Sequence, residues 1–128
     1  MTAWLTPEWF DEACRLGADC PERPGLSGTV ECELTGGPQR SVPCHFVVES
    51  GHPANAAAGR AEAPDLSLTV SWEDGAALVT GALDPSVAFM QGRLKVGGSM
   101  DLWLGLLPVT SSEPYREFCR RLAAVTEF

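Results

Sequence analysis

Basic side chains are scarce in this chain. Nine Lys and Arg stand against seventeen Asp and Glu, a formal net charge of −8. A protein that neutralises phosphates needs the opposite surplus, so nucleic acid is not an expected partner. The same deficit disfavours anionic membranes and leaves at most transient contact through an apolar patch. No apolar run approaches the roughly 18 residues of a membrane span. The opening MTAWLTPEWFDEACRLG has neither the basic region nor the apolar stretch of a secretory signal. The closing AAVTEF is neither a peroxisomal nor an endoplasmic-reticulum address, so the expected localisation is cytoplasmic.

Catalytic signatures are missing as well. The five cysteines (Cys14, Cys20, Cys32, Cys44, Cys119) are odd in number and include no C-x-x-C pair. Neither a zinc knuckle nor a disulfide framework is indicated, so no metal is expected and the thiols read as small hydrophobes. There is no G-x-S-x-G elbow, P-loop or dinucleotide fingerprint, and hence no expected cofactor or catalytic residue. Of the two histidines, His45 alternates away from Cys44 and Phe46, and His52 precedes Pro53 in a loop. Glu73, Asp74 and Asp101 fall at helix starts, where carboxylates favour the positive end of the dipole. Arg116, Arg120 and Arg121 make a small basic patch on the last helix, read as a solvated face.

What is present is apolar. Hydrophobic residues are 45% of 128 residues, enough for a single domain over 1–128. Thr6-Pro7 opens a helix, with Trp9, Phe10, Ala13 and Leu16 on one side. TVECEL and CHFVVES alternate with period two around TGGPQR, which predicts a hairpin covered on one face only. GHPANAAAGRAEAP reads as a loop with room for a short edge strand. In DLSLTVSW, Leu66, Leu68, Val70 and Trp72 point one way. EDGAALVTG holds one or two helical turns, Asp84-Pro85 starts another, and RLKVGG is a strand with Leu94 and Val96 inward. Ser99 caps a helix with Met100, Trp103, Leu104 and Leu107 on one face, stopped by Pro108. The last helix starts near Ser112-Glu113-Pro114 with the stripe Tyr115, Phe118, Cys119, Leu122. Helices over one face of an antiparallel-rich sheet make an α+β fold.

The run TGALDPSVAFMQGRLKVGGSM, residues 80 to 100, resembles the SCP2 (sterol carrier protein 2) sterol-transfer family. Its core AFMQGRLKV is similar to that family's sequence of small, aromatic, Met, any, Gly, basic, Leu, basic and aliphatic residues before a glycine turn. APDLSLTVSWEDGAALVTG agrees with the Asp-led strand, acidic turn and short helix upstream. The resemblance implies a single SCP2-like domain: a sheet of about five strands roofed by helices, with an apolar tunnel between the layers. Four strands are visible in the sequence, and the fifth is expected in or near residues 55–63.

The implied function is non-catalytic binding or transfer of a lipid of the fatty-acid, sterol or acyl-CoA class. The expected wall is Phe46, Leu68, Val70, Val79, Phe89, Met90, Val96, Met100, Trp103 and Leu107, with helix 99–107 or the last helix as a movable lid. Met90 and Met100 are flexible and polarizable, suited to varied apolar guests. Gly105 costs its helix about 1 kcal/mol against Ala, which close packing or room for a ligand would offset. A dry void of roughly 300 Å³ would cost about 7 kcal/mol at 24 cal/mol per Å³, so a cavity of that size calls for a guest. Two other readings stand beside this one. The fold could serve as a protein-interaction module whose cavity is filled by Trp72 and Trp103, or one thiol could act in a thiol-dependent enzyme.

Overall fold

The computed structural model describes residues 1–38 and 40–128. In chain order the elements are β1 (Thr2–Ala3), α1 (Pro7–Gly17), β2 (Gly28–Thr35), β3 (Ser41–Glu49), β4 (His52–Ala58), β5 (Leu66–Ser71), α2 (Trp72–Thr80), α3 (Pro85–Met90), β6 (Leu94–Gly98), α4 (Met100–Thr110), α5 (Glu113–Ala124) and β7 (Thr126–Glu127). The hairpin of β2 and β3 is in register from Gly28↔Val48 to Thr35↔Ser41. It grows into a five-stranded sheet of order β4-β3-β2-β5-β6, antiparallel except for the central β2–β5 pair. β1 and β7 pair in parallel and tie the two ends together.

Period-two alternation gives the sheet an inside and an outside. Val30, Leu34, Cys44, Val48, Leu66 and Val70 are buried under the helices. On the reverse side Glu31 and Glu33 hold Arg60 at 3.4 and 3.2 Å. The α+β architecture with its sheet of five strands is thus as expected. The fifth strand is β4, at the edge, and it begins at His52 rather than Asn55.

Local chemistry sets the helix starts. Thr6, Ser71, Asp84 and Ser99 each accept a backbone N–H three residues on, at 3.4, 3.0, 3.4 and 3.1 Å. Because Ser71 is such a cap, Trp72 is the first residue of α2, not the last of a strand, and stacks on Trp4 at 4.6 Å. Pro108 does not end α4, which runs to Thr110. Proline removes the N–H that Leu104 O would accept, and Leu104 is exposed, so water can replace that donor. Gly98 closes β6 with φ +91°, where a Cβ would lie 2.6 Å from Asp65 O. That close approach lets Ser99 N–H donate to Asp65 O at 2.8 Å and turns the chain into α4.

An aromatic cluster joins the ends of the chain to the core. Trp4 meets Trp9, Trp72 and Phe128, and Trp9 Nε1–H donates to the buried Thr126 hydroxyl at 2.8 Å. No helix is long and apolar enough to cross a membrane among the described residues.

Candidate functional site

The inner face of the sheet and the helices above it enclose a cavity of about 310 Å³. Strand alternation supplies the floor: Cys32 and Leu34 from β2, Phe46 and Val48 from β3, Leu68 and Val70 from β5. In α1, Trp9, Phe10 and Ala13 face it, and Tyr115, Phe118 and Leu122 do so from α5. α2 adds Leu78 and Val79, and α4 adds Trp103, Leu106 and Val109.

Close approach of α2 to the sheet depends on Gly75, where a Cβ would sit 2.3 Å from Leu34 Cδ2. Gly105 has the corresponding role in α4: a Cβ there would come within 2.9 Å of Leu26 Cδ1. Close packing is therefore what the glycine in that helix permits.

No Asp, Glu, Lys, Arg or His lines this cavity among the described residues; its polar side-chain groups are the Thr110 and Tyr115 hydroxyls, the five thiols and the indole N–H groups of Trp4, Trp9 and Trp103, of which those of Trp4 and Trp103 are buried without a partner. Burial sets the acidities of the thiols and the phenol. It pushes Cys14, Cys20 and Cys119 up and Tyr115 well up. Cys32 and Cys44 are register partners across β2 and β3. The neighbouring Cys32 thiol holds Cys44 below the ordinary thiol value, and the same contact, with burial, raises Cys32.

Of the residues expected in the wall, Phe46, Leu68, Val70, Val79 and Trp103 line the cavity. Val96 and Leu107 pack against the core but are not among the lining residues. Phe89, Met90 and Met100 are 37%, 81% and 44% exposed and lie on the outer side. α3 spans 6 residues, fully buries only Ala88 and lends the cavity only Pro85. In α4 the buried residues are Leu102 and Trp103, so its inner face lies to one side of the expected 100/103/104/107 stripe. The other wall residues come from the stripes of α1 and α5, the inner faces of β2, β3 and β4, and further positions of α2 and α4. The stripes of α1 and α5 are legible in the sequence, but α5 is expected there only as a movable lid and α1 has no link to the site.

The remaining candidates for chemistry are held in structural roles. His45 Nδ1–H donates to Gly59 O at 2.9 Å, and His52 opens β4 with its Nε2–H donating to Cys20 O rather than standing free in a loop. Asp74 pairs with Arg93 at 2.7 Å, and that guanidinium holds its carboxyl below the usual range. Arg116, Arg120 and Arg121 pair with Glu113, Glu117 and Asp19 on the surface. No cluster suited to a metal ion occurs among the described residues.

Comparison with known proteins agrees with this geometry. The SCP-2 sterol transfer family matches over residues 10–109. No curated protein is similar enough in sequence to match. Among solved structures, palmitated SCP2L2 from Aedes aegypti is similar with a TM-score of 0.65 at 23% identity, covering 84% of this chain and 96% of that one. A conserved hypothetical protein from Thermus thermophilus, possibly a sterol carrier protein, gives 0.66 at 19% identity over 93% and 89%. Sterol carrier protein domain 2 of Helicoverpa armigera gives 0.60 at 24% identity over 96% of both chains. At such identities the likeness establishes the fold.

Proposed function

The chain belongs to the SCP-2 sterol transfer family, and from that premise we propose that it binds a lipid between sheet and helices and carries it without catalysis. The observation that carries this reading is the wall: about 310 Å³ bordered by apolar groups, with no charged side chain among the described residues. Were such a space dry, it would cost about 7 kcal/mol at 24 cal/mol per Å³, a large share of a small domain's stability of about 5–15 kcal/mol. A guest removes that cost and adds about 0.8 kcal/mol per buried methylene.

The same wall selects among lipid classes. An ionised carboxylate buried without a partner costs several kcal/mol, so a fatty acid keeps its headgroup at the cavity's edge or enters protonated. A net charge of −8 disfavours the phosphates of an acyl-CoA. The proposed ligand is therefore a sterol or acyl chain whose buried part is neutral. It is held by Phe46, Leu68, Val70, Val79 and Trp103, together with Phe10, Leu106 and Phe118. The palmitated Aedes protein supports an acyl chain as a guest for this fold.

Mass spectrometry of organic extracts, followed by melting of delipidated protein with a panel of fatty acids, methyl esters and sterols, tests the proposal. Lipid is expected in the extract, and neutral members should raise the melting temperature more than anions of equal chain length. Leu68→Trp should fill the floor and exclude about three methylenes, weakening binding by roughly 2 kcal/mol, or about 30-fold. An empty extract, with no shift in melting or tryptophan emission for any lipid, would refute the reading.

A further inference from the structure

A second space, of about 280 Å³, lies among the C-terminal ends of α2 and α4 and the opening turns of α3 and α5. Leu78, Pro85, Thr110, Tyr115 and Cys119 border both it and the apolar cavity, so the two spaces adjoin across these side chains. Thr110 and Tyr115 carry the only hydroxyls of the apolar cavity among the described residues, and both stand on this shared border. Asp84 and Arg116 line the second space alone. Oil lies on one side of the border and charge on the other, which is where the head of a lipid would rest.

The bonds already made by the two hydroxyls specify what that head must offer. Thr110 Oγ1–H donates to Leu107 O at 3.1 Å, which leaves this oxygen free only to accept. The Tyr115 hydroxyl has no nitrogen or oxygen partner among the described residues. Beside it is the Cys119 thiol, a weak acceptor whose own S–H is directed to Leu78 O at 3.9 Å. Tyr115 is thus free to donate. A head that answers both residues accepts one hydrogen bond and donates another, as a hydroxyl does. A carboxylate only accepts: it would face the lone pairs of Thr110 and the charge of Asp84, while Arg116 pairs with Glu113 at 3.9 Å. An ether or ester cannot answer Thr110. The unpartnered indole N–H groups of Trp4 and Trp103 only donate, so they supply no acceptor for a guest's O–H.

We propose that this border is a headgroup site for lipids ending in a free hydroxyl, with the Tyr115 hydroxyl donating to the guest oxygen and Thr110 Oγ1 accepting from it. The inference rests on the lipid-binding reading and adds to it an end group and a direction: chain or ring system in the apolar cavity, hydroxyl at the junction. Long-chain alcohols and sterols share this chemistry.

The full chain, delipidated, is titrated at neutral pH with dodecanol, its isomer undecyl methyl ether and dodecanoate, following tryptophan emission and melting temperature. The alcohol is expected to bind about fivefold tighter than the ether, the worth of one added hydrogen bond, and the anion more weakly than either. Thr110→Val should lower the alcohol to the affinity of the ether and leave the ether unchanged, while Thr110→Ser keeps the preference. Tyr115→Phe should weaken alcohol and ether alike, by about fivefold. Cholesterol and its methyl ether repeat the comparison on a ring system; a hydroxyl preference in either pair supports the site and says which lipid uses it. If Thr110→Val does not fold, the ratios in the unaltered chain decide. Equal affinities within both pairs, a preference that survives Thr110→Val, or dodecanoate binding tighter than dodecanol would overturn this inference and leave the lipid-binding reading in place. If no probe changes emission or melting, that reading fails with it.

Discussion

The cavity wall and the outer ridge of α3 and α4 are built from the same kinds of large apolar side chain, yet one set is enclosed and the other faces water. Phe46, Leu68 and Trp103 border the cavity, while Met90 and Leu104 are 81% and 56% exposed. The wall residues are directed by neighbours: strand alternation turns Phe46 and Leu68 inward, and Trp103 is pinned beside Phe89 at 5.4 Å. The ridge residues lie on helices that are too short or too uniformly apolar to define an inside. Hydrophobicity alone does not decide which side of a layer a residue occupies; the opposing element does.

Substitutions at matched positions separate the two regions. The largest effect is expected at Trp103→Ala, which should cost about 3–5 kcal/mol in denaturant unfolding and widen the cavity. A cost below about 1 kcal/mol would mean that Trp103 belongs energetically with the ridge. Gly75→Ala comes next. Its methyl would press on Leu34 Cδ2, an overpacking worth about 1–3 kcal/mol. The same change at Gly105 brings a methyl 2.9 Å from Cδ1 of the half-buried Leu26, a milder overlap that can relax and that about 1 kcal/mol of helix propensity offsets, so its net effect on the melting temperature should be near zero. Smallest is Met90→Ser, alone or with Met100→Ser, expected within about 0.5 kcal/mol per site and without effect on lipid-induced melting shifts. A loss of those shifts would place the ridge in the binding site after all.

The fold was largely legible in the sequence because its signals are local. The Thr6, Asp84 and Ser99 caps, the β2–β3 hairpin and the alternation of Leu66, Leu68 and Val70 all appear as read. β4 was hard to see because HPANAAA has no apolar alternation: an edge strand with alanines needs little more than its ladder to β3. The site was about half legible. Strand positions came through because period two leaves only two choices of face. α4 did not, since MDLWLGLL is apolar all round and its inner face is chosen by Leu26 and the sheet, not by the pattern. The contribution of α1 is a long-range fact, visible as a stripe without an address, and α5 reads from the sequence as a lid rather than as part of the wall.

The single parallel pair at the centre of the sheet also governs the order of assembly. β2 meets β3 through a short hairpin, but 30 residues separate its end at Thr35 from the start of β5 at Leu66, which pairs with Val30. Closing that longer loop costs more chain entropy, and non-local pairing slows folding. During refolding, the oily side of the early hairpin therefore waits uncovered for its late companion. Dilution, or lipid supplied from the start, should raise the yield of recovered protein by shielding that interval.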